Sequence, residues 1–574
     1  MRPFIARMIG GFCVKFIGTL MDLLIPMMLA YMIDDVVPIG EKMWIWVLGG
    51  VMLFCAAVAI LGNVTANRIA AGVARDTVEK IRNDLFTRIS YLSARQLDRF
   101  TVPSLESRLT SDTYNIHQMV NMFQRLGVRA PLLLVGGLIV TFSMEPMLTL
   151  VLIAVLPFVC VTVYLITRRG IPLYTAQQVA GDEMTRVVRE NAQGIRIIKS
   201  LHKEEAERTR FDTANRNLNH SEQKAAGTMA LTSPLINLFL NLGLVTVIVV
   251  GAYRVDLGVS EPGRIIAMMS YFTIIINAMM AVTRMFIVGS KGIASANRIA
   301  EVLDAPEDMR PDPAYKAPVP KDPPKIAFED VSFSYNGVAN NLSHISFTLG
   351  AGETLGIIGP TGSGKSTLVS LLIRQYDVTG GRVLLDGVDV RALDHDTISK
   401  KFGVAFQNDF LFADTIGANI DFGRELPDGE RETAAEIAQA EEFIRDKEDG
   451  YDHFLTIKGA NLSGGQKQRV ILARALAGPP EILILDDSSS ALDYATDARL
   501  RRAIRERNEA LRREGKNGTT VIIAQRISSI RHADRILVLE DGRITGDGTH
   551  ESLLSSCPLY REIAESQMGG ALLE

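Results

Sequence analysis

Gly359-Pro360-Thr361-Gly362-Ser363-Gly364-Lys365-Ser366-Thr367 follows the run Glu353-Thr-Leu-Gly-Ile-Ile358 and precedes Leu368-Val-Ser-Leu-Leu-Ile-Arg374. The order is strand, glycine loop, helix, the context that a phosphate-binding loop requires. Gly362 and Gly364 let the backbone curl until successive N–H groups point at phosphate oxygens. The helix that follows offers its positive end to the same anion. Lys365 has the reach for β- and γ-phosphates, and the Ser366 hydroxyl is a ligand for Mg²⁺. The loop therefore predicts binding of a nucleoside triphosphate and leaves open what the energy does.

Working outward, the chain has 574 residues, 47% of them hydrophobic, and a net charge of −4. That length predicts more than one domain, and a near-neutral charge gives no electrostatic case for a nucleic-acid partner. Of the four cysteines, Cys13, Cys55 and Cys160 lie in apolar runs, and no two form a CxxC pair. Free or buried thiols fit better than disulfides or a metal site.

Apolar residues concentrate before residue 290. A helix needs about 20 residues to cross ~30 Å of hydrocarbon. Six stretches meet that length, at 8–33, 44–70, 129–143 (extended by flanking residues), 147–167, 231–253 and 264–288. No signal-peptide cleavage pattern precedes the first. The long segments 71–128 and 168–229 are basic, whereas the short loops near 34–43, 143–146 and 254–263 are acidic or neutral. The positive-inside bias then puts the N-terminus, both long segments and the C-terminal half in the cytosol of an inner (plasma) membrane protein. Apolar residues at three- and four-residue steps make those long segments helical, so helices two to five continue beyond the bilayer.

Prolines at 306, 311, 313, 318, 320, 323 and 324 mark an extended linker. From Ile326 onward short strands alternate with helices, as in an α/β domain with a mainly parallel sheet. The expected division is a six-helix membrane domain over 1–305, a linker over 306–325 and a nucleotide domain over 326–574.

Within the last region Ile482-Leu-Ile-Leu-Asp486 is a buried strand ending in the acid expected on the magnesium side of a P-loop enzyme. Leu462-Ser463-Gly464-Gly465-Gln466-Lys-Gln-Arg469 resembles the signature motif of ATP-binding-cassette (ABC) proteins. With six preceding spans, nearly the whole chain resembles an exporter-type ABC half-transporter, a membrane α-helical bundle fused to an α/β P-loop cassette. The resemblance implies ATP and Mg²⁺, with Tyr335 stacking on adenine, Gln407 as the Q-loop residue at the catalytic and magnesium positions, and Ser490-Ala-Leu-Asp493 as the D-loop. Ser107–Asp112 and Gly194–Lys199 resemble the first and second intracellular loops, which places coupling loops near 103–113 and 188–199.

Two departures bear on mechanism. The family's glutamate after the Walker B aspartate is Asp487, shorter by one methylene or roughly 1.5 Å, and the switch histidine is replaced by Gln525. The run Phe454-Leu-Thr-Ile-Lys-Gly459, before the signature, also lacks a usual glutamate. The resemblance implies head-to-tail pairing in which each ATP lies between one chain's Walker motifs and the other's signature. A degenerate Walker site beside an intact signature then fits one half of a heterodimer, in the manner of a bacterial multidrug-type exporter.

The resulting expectation is a subunit of an ATP-driven translocase that exports amphipathic compounds, with catalytic positions Asp487, Gln525 and Gln407. An exporter-fold importer of metal chelators, or a nucleotide-gated regulatory subunit with little hydrolysis, remain alternatives. Six spans exclude a soluble DNA-repair or translation protein. For substrate, Asp22 inside the first span is either functional, or else a bundle contact or a snorkelling group near an interface. Arg284 reads as a solvent or coupling contact. The methionines at 27, 28, 268, 269, 279, 280 and 285 read as bundle packing or cavity lining.

Overall fold

In hydrocarbon every backbone N–H and C=O must find its partner within the helix, so an apolar run of sufficient length has one conformation open to it. The computed structural model describes residues 2–568 apart from Ala317, Asn408, Ser489, Ser490 and Asn517. Among the described residues six helices are long and apolar enough to cross a membrane: α1 (Ile5–Ile39), α2 (Lys42–Ser90), α3 (Val102–Met144), α4 (Pro146–Ser200), α5 (Glu204–Asp256) and α6 (Pro262–Leu303). α4 has 55 residues and α5 has 53. At 1.5 Å per residue each is about 80 Å long, far more than a bilayer needs, which bears out the expected extensions.

The chain divides into two units, Met1–Ser90 with Pro103–Ala305, and Tyr91–Val102 with Pro306–Glu574. In the first, Leu148, Leu152, Val159, Val247, Met268, Phe272, Ile275 and Ile276 form the core. Trp46, Leu53, Phe54, Ile139 and Val249 face outward and are exposed, the apolar exterior that a lipid-facing bundle presents. At the α1–α6 corner Asp34 accepts from the N–H groups of Gly263 (2.5 Å) and Arg264 (2.9 Å), capping α6. A Cβ on Gly263 would lie 2.7 Å from the Ala30 carbonyl oxygen, so only glycine lets the helices approach.

Asp22 is a bundle contact. Its carboxylate accepts from Asn63 (3.4 Å) and pairs with Arg129 (3.3 Å), which ties α1 to α2 and α3. The methionines divide between both expected roles: Met268 and Met279 are core residues, and Met280 lines a cavity of about 1130 Å³ between α4, α5 and α6. Arg284 lines the same cavity, so its surroundings are not solvent alone.

The proposed first coupling loop is displaced. Arg108 and Asp112 are buried within the helix bundle, where Arg108 pairs with Glu301 (2.8 Å) and Asp112 accepts from Arg298 Nε (2.8 Å). The segment that clusters with the nucleotide unit is instead Tyr91–Val102. Ser93 and Gln96 form a capping box that starts the short helix Ala94–Phe100. Gln96 donates to the Pro306 carbonyl (2.6 Å), and Asp98 accepts from the Tyr376 hydroxyl (2.7 Å).

The nucleotide unit holds strands β1 (Ile326–Phe333), β2 (Leu342–Leu349), β3 (Thr354–Ile358), β4 (Gly380–Leu385), β5 (Val388–Asp389), β6 (Phe402–Ala405), β7 (Ile482–Asp486), β8 (Thr519–Ile523), β9 (Arg535–Glu540) and β10 (Arg543–Gly548). They form an antiparallel sheet ordered β2-β1-β4-β5 and a second sheet ordered β10-β9-β3-β8-β7-β6. In the second, β9-β3-β8-β7-β6 are parallel and β10 is antiparallel. The parallel sheet was expected and the antiparallel one was not. Every residue of β7 is buried, as in a strand covered on both faces.

Candidate nucleotide site and family

The parallel order β3-β8-β7-β6 brings four carboxyl ends side by side, where open α/β sheets hold their ligands. The phosphate loop leaves β3, Gln525 follows β8, Asp486 and Asp487 end β7, and Gln407 follows β6. A cavity of about 290 Å³ opens there, lined by Lys365, Ser366, Gln407, Asp486, Asp487 and Gln525, with Thr361, Gly362, Gly364 and Thr367 on the loop side. Asn341 also lines it, so residues as far apart in sequence as 341 and 525 share one site.

Gly364 precedes α7 (Lys365–Leu372) at φ +99°, and a Cβ there would meet Leu342 Cδ2 at 2.5 Å. The loop therefore requires glycine at this turn. Lys365 Nζ donates to the carbonyls of Gly359 (2.8 Å) and Pro360 (2.7 Å) and reaches Ser363 Oγ at 3.5 Å, so it lies folded over the loop that phosphates would occupy. Burial lowers its pKa, and Asp486 and Asp487 oppose that shift.

Asp486 is buried, and burial pushes its carboxyl up, opposed by a hydrogen bond to Ser366. A hydroxyl and a carboxylate in contact on the cavity floor form an all-oxygen donor set that suits Mg²⁺. Bound there by Ser366 and Asp486, with the Gln407 carbonyl oxygen as a third candidate, the ion would supply charge neutralisation for the phosphates. Asp487 Oδ2 accepts from Gln525 Nε2 (2.8 Å) and Gln407 Nε2 (3.3 Å). Both substituted positions therefore meet at one carboxylate. Burial raises the Asp487 pKa, against Arg526, Lys365 and the two amides. Its backbone sits at φ +49°, a left-handed conformation that Asp tolerates better than longer side chains.

Tyr335 stands edge-on to Phe333 and Tyr376, and its hydroxyl donates to Thr367 Oγ1 at 3.3 Å. Tyr335 is 42% exposed beside the loop. Ser463 caps α8 (Gly464–Leu476): its hydroxyl accepts from the Gln466 N–H (3.3 Å), and Gln466 Oε1 accepts from the Ser463 N–H (3.0 Å). Ser463 and Gly464 are exposed, and none of Ser463, Gly464, Gly465 and Gln466 lines the Walker cavity. Of the D-loop, Ser490 lies outside the described residues, while Asp493 caps α9 (Tyr494–Arg513) by accepting from the Thr496 N–H (2.9 Å).

Sequence reading missed Gln567. Its amide donates to the Gln525 carbonyl (2.6 Å) and accepts from the Ile527 N–H (2.8 Å), so the C-terminal helix Pro558–Met568 grips the backbone on both sides of Arg526. No local pattern announces a contact over 42 residues.

The ABC transporter transmembrane region family matches residues 8–279, and the ABC transporter family matches residues 342–490. An uncharacterised ABC transporter ATP-binding protein of Mycobacterium tuberculosis is 34% identical over 99% of this chain and 97% of its own length. The chain belongs to the ABC transporter family. YfiB of Bacillus subtilis, also an uncharacterised ABC transporter ATP-binding protein, is 33% identical over 96% of this chain and 94% of its own. A solved bacterial Atm1-family ABC exporter with ATP bound superposes with a TM-score of 0.82 at 25% identity, over 100% of this chain and 99% of that one. The protein is thus an exporter-type ABC half-transporter, a multi-pass membrane protein with its ATP-binding domain on the same chain.

Proposed function

We propose that this half-transporter is the degenerate-site subunit of a heterodimeric exporter of amphipathic compounds in the plasma membrane, with cytosolic N-terminus and nucleotide domain. The domain limits 1–305, 306–325 and 326–574 go with this reading. The observation that carries it is the Asp487 carboxylate, short by a methylene and held between the amides of Gln407 and Gln525. General-base work depends on reach to the attacking water, and a neutral glutamine in place of histidine offers no protonatable group at the γ-phosphate. Lys365, Ser366 and Tyr335 keep the residue types that nucleotide binding needs, so ATP is held where chemistry is slow. A signature whose Ser463 and Gly464 are exposed, separate from its own Walker cavity, is free to complete a partner's site. ATP then drives closure by binding the closed dimer better than the open one. Tyr91–Val102, docked on the nucleotide unit and continuous with α2 and α3, carries the movement to the membrane helices.

The test is ATPase activity of the purified chain, alone and co-expressed with a cognate half-transporter. Little activity alone and restoration in the pair are expected. Brisk turnover by a homogeneous homodimer overturns the assignment.

A further inference from the structure

The short helix Ile527–Ile530 follows Gln525, and a second cavity of about 290 Å³ lies between that segment and α9. It is lined by Arg501, Arg502 and Arg505 from α9, by Arg531 and His532 from the other wall, and by Asn508. Among the described residues no Asp or Glu lines it. Arg501 pairs with Asp497 (2.5 Å) and donates to the Ser528 carbonyl. Among the described residues the side chains of Arg502, Arg505 and Arg531 make no hydrogen bond or ion pair. Arg501 and Arg505 are four residues apart on one helix, a spacing at which like charges repel. Burial, and then Arg531, Arg505 and Arg501, hold the His532 imidazole below its ordinary range, so the positive field extends into the cavity. Asn508 is buried and donates to Thr520 Oγ1 (2.9 Å), which fixes a polar floor.

We propose that this cavity is a binding site for a compact, soluble polyanion of the polyphosphate or phosphate-ester class, distinct from the ATP site. Arg502, Arg505 and Arg531 are exposed at the cavity's rim, and a guanidinium fork matches phosphate oxygens two at a time. A bound anion would also neutralise the repulsion that folding otherwise leaves in place. The proposal does not depend on whether the chain's own ATP site is weak.

Equilibrium dialysis of inorganic tripolyphosphate against the full chain tests it, in nanodiscs of zwitterionic lipid without Mg²⁺. The lipid choice removes anionic headgroups, so any binding is of the soluble ligand. Two classes of bound tripolyphosphate per chain are expected. Lys365→Ala removes the class at the phosphate loop and leaves the other. Arg502→Gln with Arg505→Gln weakens the second class by at least about tenfold and spares the first, which also reports that the domain is folded. Arg531→Gln, on the opposite wall, produces the same selective loss. The proposal fails if Lys365→Ala abolishes all binding, or if the arginine variants retain both classes unchanged.

Discussion

Asp487→Glu tests the proposed catalytic role of this position by supplying the longer carboxylate. In the structure Oδ2 is 2.8 Å from Gln525 Nε2 and 3.3 Å from Gln407 Nε2, so the carboxylate is already aimed between the switch and the Q-loop. One methylene moves it about 1.5 Å further toward a water on the γ-phosphate, half the length of a hydrogen bond. A placed general base is worth about 10²–10⁴-fold. Asp487 retains part of that, so the gain expected is about tenfold at this site, or ~1.4 kcal/mol of barrier. The left-handed backbone at φ +49° sets a counter-effect of about 1 kcal/mol on folding stability, because Glu is less at home there. Adding Gln525→His raises the rate further and non-additively, since the two side chains touch. The assay is single-turnover ATP hydrolysis in the reconstituted pair, with the partner's Walker lysine removed so that only this site reacts. If neither Asp487→Glu nor the double variant exceeds wild type while ATP binding persists, carboxylate reach does not limit the rate and the reasoning is refuted.

Two further outcomes follow from the same geometry. Ser463→Ala removes the capping box of α8 at a cost of about 1 kcal/mol to the domain, and in the pair it slows hydrolysis at the partner's site; site-resolved turnover that falls only at this chain's own Walker site contradicts head-to-tail pairing. The raised Asp487 pKa means that the protonated form persists above the ordinary carboxylate range of about 3.9, so single-turnover hydrolysis at this site climbs with pH along an acid limb displaced upward, and Asp487→Asn lacks that limb. The native state binds this proton more tightly than the unfolded chain does, so the residue's contribution to stability is largest at low pH and is lost as pH rises through the folded pKa.

The amino-acid sequence alone determined the elements whose causes are local. Gly362, Gly364, Lys365 and Ser366 announce a phosphate loop because the turn, the helix end and the ligands lie within nine residues. The spans are legible because a bilayer admits no irregular backbone exposed to lipid. The tertiary structure decided what depends on strand order and long-range packing. Only the sequence of neighbours β3-β8-β7-β6 places Gln525 and Gln407 on the same Asp487 oxygen, and only folding brings Gln567 to the backbone around Arg526. The docked segment was misplaced by its motif: Asp112 lies in a family-like run, yet its carboxylate pairs with Arg298 and accepts from Ser295 inside the helix bundle. The capping box at Ser93 instead starts the helix that reaches Tyr376. Arg501, Arg502 and Arg505 look in sequence like an ordinary solvated helix face; Arg531 becomes their neighbour only when β8 and the segment after it fold against α9, because spacing along a chain carries no information about which distant charge stands opposite.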